Sequence, residues 1–125
     1  MDKFNLQDIQ RQPKQNQTNL PRTAIPRKVN GEPFLRGPIP LTWLSVAAEL
    51  PGKSLHLSLA IWFRASMTNN ATVRLGNSLL AEFSVKPDAK RRALKALEDA
   101  GLIEVDRREN RNPVVTLRPY HPGHD

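Results

Sequence analysis

A small α+β domain, mostly helical and ending in a two-stranded β-hairpin, is what the sequence predicts behind a disordered N-terminal tail. Three observations carry that expectation. Residues 1–33 are rich in Gln, Asn, Pro and Arg and lack sustained periodicity, apolar residues recur at helical spacing between Leu41 and Leu97, and strand-like alternation replaces that spacing after Gly101. The domain is assigned to residues 34–118, and residues 119–125 form a short C-terminal tail.

The tail at 1–33 reads as a solvated segment or as a basic arm, carried by Arg22, Arg27 and Lys28, that follows phosphates or a minor groove. Phe34 to Pro40 (FLRGPIP) leads into the domain. Thr42 is placed to cap a short helix through about Leu50, with Trp43, Leu44, Ala47 and Leu50 on one side, and Pro51-Gly52 ends it. A second helix from Lys53 to Met67 carries Leu55, Leu59, Trp62 and Phe63 at helical spacing, widened by Leu57 and Ile61. That wide stripe implies burial under the first helix or in a dimer interface.

Thr68-Asn69-Asn70 is a turn cluster, and Thr72 to Leu75 alternates as a short strand. Gly76-Asn77-Ser78 opens a third helix, whose apolar face is Leu79, Leu80 and Phe83. Ser84-Val85-Lys86 is only long enough for a tight turn between helices. Pro87 fits the first position of the next helix, where its missing N–H costs nothing, Asp88 complements the dipole, and Gly101 suits the left-handed conformation past the helix end. Leu102 to Arg108 and Pro113 to Arg118 then alternate around the loop Glu109 to Asn112, as a β-hairpin does.

Helix, helix, short strand, helix, tight turn, basic helix and hairpin is the order of a winged helix-turn-helix. The stretch from Leu79 to Leu117 (LLAEFSVKPDAKRRALKALEDAGLIEVDRRENRNPVVTL) resembles the DNA-binding half of bacterial winged-helix transcriptional regulators, including the multiple-antibiotic-resistance type. Its most specific piece is RALKALEDAGLIEVDRR, a recognition helix that passes through Ala-Gly-Leu-Ile into the wing. The resemblance covers about a third of the chain, or nearly two thirds with the helices from Leu41 onward. It implies a regulator that binds double-stranded DNA, with repression favoured over activation.

At 100° per residue, Ala93, Leu94 and Leu97 occupy one flank of the basic helix, and Asp88, Arg91, Arg92 and Lys95 another. The second flank fits a major groove, where Arg can pair with guanine O6 and N7 and Lys with phosphate. Arg91 and Arg92 are the candidate base readers. Lys86 precedes the helix, and Arg107, Arg108 and Arg111 extend the basic surface onto the hairpin, with Arg111 at its tip. An ordinary solvated face accounts for an isolated helix of this kind equally well. Lys90 falls on the apolar flank, where such regulators place an aliphatic residue, and its stem is expected over Leu94 with the ammonium reaching solvent or phosphate.

The net charge of +7 and a pI near 10.4 favour a polyanionic partner. The absence of cysteine excludes disulfides, thiolate zinc sites and thiol nucleophiles and fits the cytoplasm. No segment has the roughly 20 apolar residues that span a bilayer. Paired carboxylates, nucleophile motifs and Gly-rich phosphate loops are all missing, so neither an enzyme nor a cofactor is expected, and His121 and His124 in the final HPGHD are a weak metal candidate. A domain this small favours a homodimer. Two other classes remain open: a protein-interaction adaptor that uses the Leu55 to Phe63 stripe, and an accessory factor for plasmid replication or transfer.

Overall fold

The computed structural model describes residues 20–26, 30–107 and 112–121. Most of the segment expected to be disordered therefore lies outside the described residues, as do Arg108 and Arg111 of the hairpin loop and His124 of the tail. The chain divides into two units, Met1–Phe34 and Leu35–Asp125. In the first, the described residues are exposed and irregular, with a turn at 30–31.

The second unit is α+β. Its described residues form α1 (Leu41–Glu49), α2 (Ser54–Thr68), β1 (Thr72–Arg74), α3 (Asn77–Glu82), α4 (Pro87–Asp99), β2 (Ile103–Asp106) and β3 (Val114–Leu117). Pro40, not Thr42, stands at the start of α1, and the Thr42 carbonyl instead accepts from Ser45 Oγ at 3.1 Å. None of these helices is long and apolar enough to cross a membrane.

The expected two-stranded hairpin is one part of a three-stranded antiparallel sheet ordered β1-β3-β2. Thr72, Val73 and Arg74 stand opposite Thr116, Val115 and Val114, while Ile103 to Asp106 line the other side of β3. Alternation marks Val73 and Leu75 as inward residues, but a three-residue strand with one face in the core does not reveal its partner. The Leu75 N–H extends the pairing to the Pro113 carbonyl at 3.1 Å. The β1–β3 connection thereby ties the chain before α3 to the end of the hairpin.

The core runs through Trp43 and Ala47 of α1, Leu57, Ala60 and Ile61 of α2, Leu80 of α3, Leu94 and Leu97 of α4, and Leu102 and Val115. The buried face of α2 is rotated from the expected one: Leu55, Leu59, Trp62 and Phe63 are half-buried, whereas Ser54, Leu57, Ser58, Ile61 and Ala65 are fully inside. Two serines can occupy a core face because each hydroxyl bonds back along its own chain. Ser54 Oγ donates to the Pro51 carbonyl at 2.6 Å and Ser58 Oγ to the Ser54 carbonyl at 2.8 Å.

Trp43 is the central fastener. Its indole N–H donates to the Arg118 carbonyl at 2.9 Å and lies 3.3 Å from the Leu102 carbonyl, so α1 holds the far ends of both hairpin strands. Trp62 meets the Trp43 ring edge-on, with centroids 5.4 Å apart. The Trp62 indole nitrogen, by contrast, is buried with no acceptor among the described residues.

Candidate nucleic-acid interface

α3 and α4 are joined by a turn whose geometry follows from one residue. Ser84 takes a left-handed conformation (φ 62°), which lets the Ser84 N–H reach the Ala81 carbonyl at 3.1 Å and the Val85 N–H reach the Leu80 carbonyl at 2.9 Å. The Leu80 and Ala81 carbonyls at the end of α3 are thereby satisfied while the chain reverses. Lys86 is extended (ψ 162°) and Pro87 opens α4, as the sequence predicts. The same closure recurs at the other end of α4. Gly101, at φ 81°, donates to Glu98 at 3.0 Å, and Leu102 donates to Leu97 at 3.1 Å.

Held at both ends, α4 buries Ala93, Leu94 and Leu97 and exposes Asp88, Arg91, Arg92 and Lys95. The exposed charges are not equivalent. Arg91 donates to Asp88 at 2.8 Å, Lys95 lies 3.5 Å from Asp99, and Arg107 of the hairpin reaches back to Glu98 at 3.1 Å. Lys86 and Arg92 have no carboxylate partner among the described residues. Positive charge is therefore left open at Lys86 and Arg92, beside the N-terminal half of α4, while Arg91, Lys95 and Arg107 each face a carboxylate.

That open end faces a concavity of about 910 Å³ between α3, the turn and the first two turns of α4. Lys86, Asp88 and Arg92 line it, together with Lys53, which precedes α2. Lys53 had no distinguishing signal in the sequence, because only the tertiary fold brings it to the same concavity as Arg92, 39 positions later. Of the other expected site residues, Arg107 is exposed near the hairpin, and Arg108 and Arg111 fall outside the described residues.

Lys90 corrects an expectation. Its ammonium does not reach outward; it is buried and donates to the Leu75 carbonyl and to Asn77 Oδ1, each at 3.2 Å. Burial disfavours the charged form and holds its pKa below the ordinary lysine value. A lysine is tolerated on the apolar flank because the β1–α3 junction offers two acceptors at the reach of its stem. It joins α4 to the start of α3 and is removed from the outward-facing set.

No family model, curated protein or solved structure matches the chain. Its function must be inferred from its own surface. Among the described residues, no group of three His, Asp or Glu side chains could hold a metal ion.

Proposed function

We infer that the second unit is a winged helix-turn-helix that binds double-stranded DNA at a specific sequence, as a regulator that acts by repression. In this reading α4 is the recognition helix and the β2–β3 hairpin is the wing. The observation that carries it is the outward, basic N-terminal half of α4, where Arg92 and the preceding Lys86 have no carboxylate partner among the described residues and open onto a concave surface. Contact between α4 and β2, with Arg107 reaching Glu98 at 3.1 Å, adds support, because it keeps the hairpin beside α4. In this reading the chain acts by binding, not catalysis, and works in the cytoplasm, in keeping with its lack of cysteine.

Arg92 is the first candidate for reading a base edge. Arg91 must exchange the Asp88 carboxylate for its target, so Asp88 serves to orient it. Lys86, Lys95, Arg107 and, on the hairpin loop, Arg108 and Arg111 supply backbone contacts. Two copies reading half-sites about one helical turn, or ~34 Å, apart would form the functional homodimer. An accessory factor for plasmid replication would use the same surface to another end. The adaptor alternative has less support, because Leu55 and Trp62 of the α2 stripe pack against the core.

The test is a fluorescence-anisotropy titration of duplex carrying the promoter of the protein's own gene, beside a scrambled duplex, over a range of salt. Contacts to about five to eight phosphates would make affinity fall steeply with salt. Arg92→Ala should cost roughly 1–3 kcal/mol on the promoter and much less on the scrambled duplex. A wild-type protein that stays folded yet binds neither duplex would remove this reading and favour the adaptor.

A further inference from the structure

On the other side of the hairpin, α2 and the β1 edge enclose a depression of about 440 Å³ between Arg64 and Arg74. Its lining contains no carboxylate, and neither arginine is paired with one among the described residues. We propose that this cleft is a phosphate-binding site, formed by the two guanidinium groups and the amides of Asn70 and Asn112.

The hydrogen-bond inventory singles out an anion. Thr68 Oγ1 donates to the Arg64 carbonyl at 2.9 Å, and the Thr72 and Thr116 hydroxyls bond to each other at 2.9 Å, so these three are already engaged. Asn70 Oδ1 accepts the Thr72 N–H at 2.9 Å, which leaves its amide nitrogen as a donor. Arg74 spends one N–H on the Asn112 backbone carbonyl at 3.3 Å, and that bond steadies its guanidinium while leaving the rest of its fork and the Asn112 side-chain amide to face a ligand. The Asn112 amide nitrogen lies beside Gly76, 3.7 Å from where a Cβ there would stand, at the rim of the cleft. What remains unspent is a set of N–H donors carrying two positive charges. Tetrahedral oxyanions satisfy such a set, and arginine forks match them bidentately.

The sheet register places the cleft. Arg74 and Asp106 both stand opposite Val114, in the row from which the hairpin loop departs, with Asp106 two strands away. The cleft thus opens at the β1 edge of the sheet, next to the row from which the hairpin loop departs. Resting on the DNA reading above, the phosphate is a backbone phosphate flanking the wing. A free phosphate or nucleotide presents the same chemistry.

Two measurements on the full chain distinguish these sources. In the first, Arg64→Gln/Arg74→Gln is titrated with promoter and scrambled duplexes. Loss of one shared phosphate should weaken both alike, by roughly tenfold or more, and lower the salt slope by about one unit. In the second, inorganic phosphate is added while the arginine Nε–H resonances are followed by NMR. Shifts of Arg64 and Arg74 in the wild type, absent in the double variant, support the site even if no duplex binds, in which case the DNA reading fails and the free anion is the ligand. Arg64→Lys/Arg74→Lys keeps charge and stem length but loses the fork, so intermediate weakening is expected and a folded control is available. Wild-type duplex affinity and slope in both double variants, together with no phosphate-dependent shift, would overturn the proposal.

Discussion

The two tryptophans share one ring contact but differ in what their indole nitrogens meet, and that difference sets their contributions. Trp43→Phe leaves the Arg118 carbonyl without its donor and opens space at the centre of the core, so a loss of about 2–3 kcal/mol is expected in urea denaturation. Trp62→Phe deletes a donor that has no acceptor, in a half-buried ring, and should cost about 1 kcal/mol or less. Equal losses would show that the Trp43 hydrogen bonds contribute nothing net. Lys90 offers a pH-dependent test. Lys90→Met leaves the Leu75 carbonyl and Asn77 Oδ1 undonated, at a cost of about 1–3 kcal/mol near neutral pH. Because the folded pKa lies below the unfolded value, the unfolded chain holds more proton on this lysine throughout the interval between the two, and stability from this group rises with pH there. The advantage of wild type over Lys90→Met should therefore grow as pH climbs toward 10.5. A gap that shrinks over that range would contradict the burial of a charged amine.

Among the elements, α4 was the most legible in the sequence, because Pro87, Asp88 and Gly101 mark its ends and its charged and apolar flanks separate cleanly. Gly101 carries a cost that can be measured. No atom would crowd an added Cβ, so Gly101→Ala tests the left-handed backbone alone and should lower stability by about 1–2 kcal/mol. An unchanged denaturation midpoint would mean that the turn relaxes at no cost. α2 was legible as a helix but not in its orientation, because Ser54 and Ser58 count as polar in any periodicity and yet satisfy their hydroxyls internally. The pairing of β1 with β3 was hidden for a different reason. A three-residue strand carries too little pattern to name a partner 44 positions away. The candidate interface was legible where it lies on one helix, at Arg91, Arg92 and Lys95. It was illegible wherever cations converge from separate elements, as Lys53 does on Arg92 and Arg64 on Arg74.

For the molecule as a whole, every core residue lies between Trp43 and Val115. Removal of residues 1–30 should therefore leave the melting temperature and the cooperativity of unfolding nearly unchanged, as calorimetry would record, since none of its described residues is buried. A broadened or lowered transition would assign the first unit a structural part. The opposite end behaves differently. β3 occupies the middle of the sheet although it is the last strand in sequence, and Trp43 waits for the Arg118 carbonyl. A chain emerging from a ribosome can form α1 to α4 early, but it has nothing to pair β1 or β2 with until β3 is made. Completion of β3, not helix formation, sets the moment at which this domain becomes a stable body and its basic surface acquires a fixed shape.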